Sequence, residues 1–360
     1  NYPVSYVNIT TGVITAKAIN VTAQTVTKVY DGNTSSSVVP VVEALETGDT
    51  RNNPIQTYDT KHVSTGKTLT ASGLVINDGN YGNNYAVTYV PNNNGEITKK
   101  NIKVTAVAAS KAYDGNTSSA AVPTIEPLAS GDAIVTPPVQ TYDTPFEGTG
   151  KALTPSGLVI NDGNNGDNYE IAYVVKNLGT ITALPVVGTV TVNVASVQYS
   201  DQVTLTARIT GGAPLVTGGP QAAQSVTFPI GGQVMNTTPT ALNIDGNNLV
   251  ATWTGQLLET TNTGSMAPQA GKTVTATFNS PNANFTINPS PAATSLNVMK
   301  EDARIDYTGD QIMATASSSA TTATVTLRAN ILDITAATGD PSTDTYSGDI
   351  RNARVKFVNR

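Results

Sequence analysis

The chain alternates apolar and polar residues most strictly just past its midpoint. The apolar members of this pattern are Val190, Val192, Val194, Val203, Leu205, Ala207 and Ile209. A period of two predicts strands with one buried face, because successive side chains of a strand point to opposite sides of the sheet. Similar stretches recur at residues 225–228, 249–253, 272–278 and 295–298, separated by clusters of Gly, Pro and Asn that favour turns. The pattern predicts a β-sandwich over residues 186–299.

Residues that favour strands and turns dominate the rest of the chain as well. Thr, Val, Asn, Gly and Pro are abundant throughout, and these residues form helices poorly. We therefore predict an all-β protein, built as tandem β-sandwich modules in an elongated array. For the first half of the chain the sequence leaves two architectures open, a full sandwich and a more open β-grasp-like sheet.

The first half of the chain repeats itself at the length of a whole domain. The segment NYPVSYV at Asn1 returns as NYAVTYV at Asn84 and as NYEIAYV at Asn168, at spacings of 83 and 84 residues. Solenoid repeats are shorter than this. We predict five segments: a tail of a preceding repeat (1–15), a first repeat (16–98), a second repeat (99–185), a third module (186–299) and the start of a further, truncated fourth module (300–360).

Both complete repeats carry the same landmarks in the same order. These are KVYDGNT or KAYDGNT, then QTYDT, TGK and SGLVINDGN, and finally NYxxxYV and GxIT. This set resembles the YDG domain, a tandem module of large bacterial surface proteins that include adhesins. The third module, and the junction KEDARIDYTGD at Lys300, resemble bacterial immunoglobulin-like (Ig-like) domains, also found in arrays. The resemblance implies a secreted, cell-surface, non-catalytic stalk.

The tripeptide after which the YDG domain is named predicts a structural corner. It occurs as Tyr30, Asp31 and Gly32, and again as Tyr113, Asp114 and Gly115. An Asp-Gly pair suits a tight turn in which the glycine adopts a positive φ. We expect each tyrosine to bury its ring and to bond its hydroxyl to the backbone. The alternative is that each aspartate contributes a carboxylate to a functional site.

Two loops and one junction are rich in the oxygen ligands that Ca²⁺ prefers. The candidate carboxylates are Asp78, Asp162 and Asp167 in the loops, and Glu301, Asp302 and Asp306 at the junction. Neither loop ends in the bidentate glutamate of an EF-hand. A metal-free hairpin or Asx turn is therefore the main interpretation, and calcium binding is the alternative. No other cofactor and no catalytic residue is expected.

Composition narrows the chemistry further. The chain has no Cys and a single His, His62, which argues against disulfides, thiolate metal sites, a cysteine nucleophile and histidine-based triads. The formal charge is −6, and the 20 Lys and Arg residues are scattered, whereas nucleic-acid binding requires a concentrated basic surface. No apolar stretch approaches the roughly 20 residues of a membrane span.

We therefore expect a non-catalytic repeat stalk of a secreted bacterial surface adhesin, which spaces a binding region from the cell. The alternatives are a glycan- or protein-binding β-sandwich module and an accessory region of a secreted enzyme. The expected partners are neighbouring repeats of the same parent chain, with a protein or glycan ligand bound through loops or exposed strand edges. Within the third module, Trp253, Phe228 and Phe278 are expected to form the aromatic core.

Overall fold

The computed structural model describes residues 1–258, 266–300, 303–333 and 354–358. Over these ranges the chain forms strands and turns and contains no helix, which confirms the all-β prediction. Accordingly, the same ranges hold no helix of the length and apolar character needed to cross a membrane.

The chain forms two compact units. The first comprises Asn1–Ser110, Thr117–Thr144 and Thr149–Thr180, and the second comprises Lys111–Asn116, Pro145–Gly148 and Ile181–Arg360. Two short pieces of the second repeat, its Tyr-Asp-Gly corner and the loop at 145–148, are therefore grouped with the third module.

The first repeat contains two small sheets and one separate strand pair. Its strands are β1 (Lys17–Thr22), β2 (Thr27–Val29), β3 (Val41–Val42), β4 (Thr50–Arg51), β5 (Ile55–Tyr58), β6 (Ser64–Ser72), β7 (Ile76–Asn77), β8 (Tyr85–Val90) and β9 (Asn92–Thr98). The sheet orders are β3-β1-β8 and β2-β9-β6-β5, and β4 pairs with β7. Val21 from the first sheet and Leu69 and Ile97 from the second share one buried core. The repeat is thus a small two-sheet sandwich, not a single open sheet.

The opening strands of the first repeat pair in parallel with its closing strands. β1 pairs with β8 over six residue pairs, starting with Lys17 opposite Tyr85. β2 pairs with β9 in the same sense, starting with Thr27 opposite Glu96. Each of the two opening strands is therefore bonded to one of the two closing strands.

The second repeat follows the same plan. Its strands are β10 (Lys100–Thr105), β11 (Ala109–Ala112), β12 (Thr124–Ile125), β13 (Ala133–Thr136), β14 (Val139–Tyr142), β15 (Gly148–Ser156), β16 (Val159–Asn161), β17 (Tyr169–Val174) and β18 (Lys176–Thr182). The sheet orders are β12-β10-β17 and β11-β18-β15-β14, and β13 pairs with β16. β10 and β17 are parallel over six residue pairs, as β1 and β8 are.

The third module is a larger sandwich. Its strands are β19 (Leu184–Val192), β20 (Ser196–Gln198), β21 (Gln202–Thr210), β22 (Ser225–Thr227), β23 (Pro229–Ile230), β24 (Gln233–Val234), β25 (Thr240–Ala241), β26 (Asn243–Asp245), β27 (Asn248–Gln256), β28 (Gln269–Asn279), β29 (Phe285–Asn288) and β30 (Ala292–Met299). One sheet has the order β26-β27-β21-β19-β29, and the other has β20-β30-β28-β22-β25 with β23 and β24 at its side. Phe228 and Phe278 are buried, but Trp253 is only half-buried, so the prediction that it belongs to the core is wrong.

The described residues at the two ends of the chain form few strands. In the fourth module, β31 (Ala303–Tyr307) pairs antiparallel with β32 (Ala329–Asp333), and residues 334–353 and 359–360 lie outside the described ranges. At the other end, residues 1–16 form no strand, and the tail (1–15) is exposed although its sequence matches the closing strands of a repeat.

Candidate functional site

The Tyr-Asp-Gly corner of the first repeat is a hydrogen-bonded turn. Gly32 has a φ of +86°, as the Asp-Gly pair predicted. The carboxylate of Asp31 accepts the backbone N–H of Asn33 at 3.1 Å and the Lys28 ammonium at 2.7 Å. Partial burial works against ionisation of Asp31, but these two donors outweigh it and hold the pKa of the carboxyl below its usual value.

The corner of the second repeat is built in the same way. Gly115 has a φ of +78°, and the Asp114 carboxylate accepts the Asn116 N–H at 3.1 Å and the Lys111 ammonium at 2.7 Å. Both aspartates therefore shape their own turn. This geometry favours the structural interpretation of Asp31 and Asp114 over the alternative of a reactive carboxylate.

The side chain of Tyr30 extends from the first repeat and packs against the second repeat. Tyr30 is only 2% exposed, and its ring meets that of Tyr169 edge-on, with centroids 5.6 Å apart and an interplanar angle of 77°. The side chains around it are defined here as the occupied socket, which consists of Ala129, Asp132, Leu158, Ile160 and Tyr169. A Cβ on Gly32 would lie 2.5 Å from the carbonyl oxygen of Ser130, so the glycine also permits close approach of the corner.

A buried carboxylate joins the two tyrosines. The Tyr30 hydroxyl donates to Asp132 Oδ2 at 3.0 Å, and the Tyr169 hydroxyl donates to the same oxygen at 2.7 Å. The Asp132 side chain is 1% exposed, and the Lys61 ammonium lies 3.3 Å from its Oδ1. The expectation that the Tyr30 hydroxyl bonds to the backbone is wrong, because a carboxylate 102 residues further along the chain accepts it.

This environment favours neutral tyrosines. Burial is the largest cause that raises the pKa of Tyr30, and the hydrogen bond to the Asp132 carboxylate adds to it. The same two causes, in the same order, raise the pKa of Tyr169. Both hydroxyls therefore remain donors to Asp132 at alkaline pH, where free tyrosines ionise.

A buried asparagine forms a second link beside the socket. Asn168 is 0% exposed, its Oδ1 accepts the backbone N–H of Val63 at 3.0 Å, and its Nδ2 lies 3.2 Å from His62 Nδ1. The preceding loop fixes this asparagine, because the Asp162 carboxylate accepts the N–H groups of Asn168 and Gly166 at 3.1 and 2.9 Å. Asn168 and the neighbouring Tyr169 of the second repeat thus both contact the first repeat.

The second corner has a similar neighbour within the second unit. Tyr113 is 2% exposed, and its ring meets that of Phe285 edge-on at 5.4 Å and 72°. Asn284 precedes Phe285 as Asn168 precedes Tyr169, and its Oδ1 accepts the backbone N–H of Glu147 at 2.7 Å. Phe285 has no hydroxyl to match that of Tyr169, so the bond that Tyr169 makes to a carboxylate has no counterpart here.

The YDG domain family matches residues 15–92 and 98–176. The chain carries two YDG domains in tandem. No curated protein matches the chain. Among solved structures, that of FdeC, described as a novel, broadly conserved Escherichia coli adhesin, aligns at 11% identity with a TM-score of 0.21, covering 70% of this chain and 82% of that one. A TM-score this low carries no inference about fold or role.

The carboxylates considered for calcium have different surroundings. In the YDG domains, Asp78 and Asp162 each accept backbone N–H groups of their own loop, which is the arrangement of an Asx turn, and Asp167 is exposed. At the junction, Asp306 pairs with Arg304 at 3.1 Å, while Glu301 and Asp302 lie outside the described residues. Within the described ranges, no three His, Cys, Asp or Glu side chains converge as metal ligands. Calcium binding stays a prediction.

Sequence reasoning missed Asp132, Tyr169 and Asn168 as the partners of the first corner. The sequence marks these positions through the repeated Gly-Asp pair at Asp49 and Asp132 and the Asn-Tyr pairs at the start of β8 and β17, but this signal does not connect them with Tyr30. The Asn-Phe pair that opens β29 extends the same signal beyond the YDG domains.

Proposed function

We propose that this chain is part of the non-catalytic repeat stalk of a secreted bacterial surface adhesin, which bears tension and spaces a binding region from the cell. The observation that carries the proposal is the parallel pairing of opening and closing strands in each YDG domain, β1 with β8 and β10 with β17. The YDG family and the tandem repetition support the same role.

The pairing matters because of the direction in which a stalk is pulled. Tension on a YDG domain draws the start of β1 and the end of β9 apart. β1 then slides along β8, and β9 slides along β2. Sliding loads all hydrogen bonds of a parallel ladder together, whereas peeling an antiparallel hairpin from its end breaks them one after another. We therefore expect the domains to unfold slowly under tension, since forced unfolding depends on the unfolding rate.

The third module supports the same interpretation. Its opening strand β19 is parallel to β29, and β20 is parallel to β30 near its end. Modules of different sequence thus share one arrangement of their terminal strands. A purely ligand-binding module would not require this arrangement, because its ligand does not pull the strand ends apart.

Single-molecule force spectroscopy on the full chain, held at its two ends, tests the proposal. Each YDG domain should unfold in one step that releases about 290 Å of extended chain, and the measured lengthening is this value less the distance between the ends of the folded domain. The unfolding force of these steps should exceed that of an antiparallel hairpin module pulled from its end. Unfolding at the low force of such a hairpin would contradict the proposed role as a stalk under tension.

Two proline variants on the edge strand β8 sharpen this test. Lys17 donates its N–H to Asn84 and Ala23 donates to Val90, so in this parallel ladder the N–H of Thr88 faces β1 and that of Val87 faces away. Thr88→Pro should lower the unfolding force of one repeat, because it removes a ladder bond, while Val87→Pro should lower it much less.

Protease treatment of intact cells that make the parent protein tests the surface location, and release of peptides from residues 16–300 is the expected result.

A further inference from the structure

We propose that the first repeat carries an open socket for the Tyr-Asp-Gly corner of another YDG domain, placed ahead of it on the same polypeptide. The open socket is formed by Glu46, Asp49, Leu74, Ile76 and Tyr85. These positions correspond to the five residues of the occupied socket, Ala129, Asp132, Leu158, Ile160 and Tyr169. The proposal concerns a docking surface and does not depend on the proposed role as a stalk under tension.

The inner contacts of the open socket are already in place. The Tyr85 hydroxyl donates to Asp49 Oδ2 at 2.6 Å and accepts the backbone N–H of Glu46 at 2.8 Å. In the occupied socket, the Tyr169 hydroxyl makes the same two contacts, to Asp132 at 2.7 Å and from Ala129 at 2.8 Å. The first repeat therefore holds its aromatic ring and its carboxylate in the positions that receive a corner tyrosine in the second.

The asparagine beside the open socket is prepared in the same way. The Asp78 carboxylate accepts the N–H of Asn84 at 3.1 Å, and Asn80 donates to Asn84 Oδ1 at 3.0 Å. In the second repeat, the corresponding bonds from Asn168 to Asp162 and from Asn164 to Asn168 are both 3.1 Å.

The open socket lacks only the contacts that Tyr30 and Val63 of a preceding repeat make to the occupied socket. Asp49 Oδ1 accepts no hydrogen bond from any residue that the structure describes, whereas Asp132 Oδ1 accepts from Tyr30 and Lys61. Asn84 is exposed, whereas Asn168 is fully buried. Leu74 is half-buried, whereas its counterpart in the occupied socket is buried. These differences lie where Tyr30 and Val63 reach the second repeat.

The missing groups define the chemistry of the occupant. It must present an aromatic ring edge-on to Tyr85, a hydroxyl to Asp49 and a backbone N–H to Asn84. A Tyr-Asp-Gly corner with its companion loop supplies all three to the second repeat, through Tyr30 and Val63. A free tyrosine side chain or an unrelated peptide would supply only part of this set.

The occupant is expected on the same polypeptide and not on a second copy of this chain. Both corner tyrosines of the chain, Tyr30 and Tyr113, are 2% exposed, so neither is available to another molecule. Moreover, the tail (1–15) carries the pattern of Asn84–Thr98, the segment that closes a YDG domain, directly ahead of β1. A corner would therefore arrive from the domain to which this pattern belongs.

The test restores that domain. A second copy of residues 16–83 is placed ahead of Asn1 in the full chain, so that it joins the tail (1–15) at the 83-residue spacing. Hydrogen exchange of the Glu46 amide, which donates to Tyr85, is then compared with that of the unextended chain. The Ala129 amide, which makes the same bond in the occupied socket, is the internal reference.

In the extended chain, exchange at Glu46 should slow about tenfold, the factor expected from one added hydrogen bond to a charged group. Exchange at Ala129 should not change. Phenylalanine in the added copy, at the position of its corner tyrosine, should remove most of this protection, and Asp49→Asn in the extended chain should do the same. Equal Glu46 exchange with and without an added copy that folds would overturn the proposal.

A second measurement applies whether or not the added copy folds. A peptide with the sequence of residues 24–37, which contains the corner, is titrated into the full chain while the NMR signals of Glu46 and Asp49 are followed. These signals should shift with the native peptide and stay unchanged with a Tyr30→Ala peptide. If neither the extended chain nor the native peptide affects them, the first repeat has no socket for this corner.

Discussion

The two YDG domains present the same socket in two states. In the second repeat, Tyr169 and Asp132 enclose Tyr30, and the adjacent Asn168 is fully buried. In the first repeat, Tyr85 and Asp49 keep their mutual hydrogen bond, but no corner tyrosine among the described residues donates to Asp49, and Asn84 is exposed. The comparison shows that each domain builds its own socket. The corner adds burial and further donors to a site that is already formed.

The contact of Tyr113 with Phe285 separates what is general in this arrangement from what is specific. The edge-on aromatic pair and the asparagine that accepts a backbone N–H are both present there. The bond that Tyr169 makes to Asp132 has no counterpart there, because Phe285 has no hydroxyl. Ring packing and the asparagine bond are thus the shared elements, and the tyrosine-aspartate bond is specific to the YDG domains.

The largest effect is expected from emptying the occupied socket. Tyr30→Ala should lower the unfolding free energy of the second repeat by about 3–5 kcal/mol, because it leaves a cavity beside Tyr169 and an unfilled acceptor on Asp132. Urea unfolding monitored by tyrosine fluorescence measures this loss. The control is Tyr81→Ala, since Tyr81 is 99% exposed and its replacement should cost within about 0.5 kcal/mol. Equal losses would mean that Tyr30 does not stabilise the socket.

A smaller effect should distinguish the two carboxylates. Asp132→Asn should cost about 2 kcal/mol, because the amide replaces a buried charge that accepts from two tyrosines and pairs with Lys61. Asp49→Asn changes the same position in the open socket and should cost less than about 1 kcal/mol, since water reaches Asp49. Chemical denaturation of the two variants gives both values. If Asp49→Asn is as costly as Asp132→Asn, the corner is not what makes the carboxylate important.

The sequence was sufficient to predict the repeats, the all-β fold and the local geometry of the corner. The Asp-Gly pair predicted a tight turn with a positive φ at Gly32, which depends only on neighbouring residues. Strand alternation likewise predicted β21 and β28, because it depends on which face is buried. These features are local or periodic, and they can be identified from a single sequence.

The destination of Tyr30 could not be predicted in that way. Its acceptor, Asp132, is one of 26 acidic residues, and no periodicity connects a side chain with a partner 102 residues away. Trp253 illustrates the same limit. Its position in the alternation predicted burial, but in the structure its side chain is only half-buried. Long-range partners depend on how sheets and domains pack, which requires the structure.

The smallest effect is expected from alkaline pH, and it is absent at neutral pH. Burial and the Asp132 hydrogen bond raise the pKa of Tyr30 and Tyr169 above the ordinary value of about 10. Below pH 10 the tyrosines are neutral in both the folded and the unfolded state. Above pH 10 the unfolded tyrosines release protons that the folded ones retain, so the unfolding free energy should fall as pH rises.

Urea midpoints measured between pH 9 and 11.5 report this dependence. Tyr30→Phe should make the fall with pH shallower, because it removes one of the retained protons, although it also weakens the socket at every pH. Tyr81→Phe replaces an exposed tyrosine and should leave the pH dependence unchanged. If both variants show the slope of the unaltered chain, proton retention by Tyr30 does not contribute to stability. The occupied and open sockets would then differ in packing alone, and the edge-on ring contact shared with Tyr113 would account for the interaction.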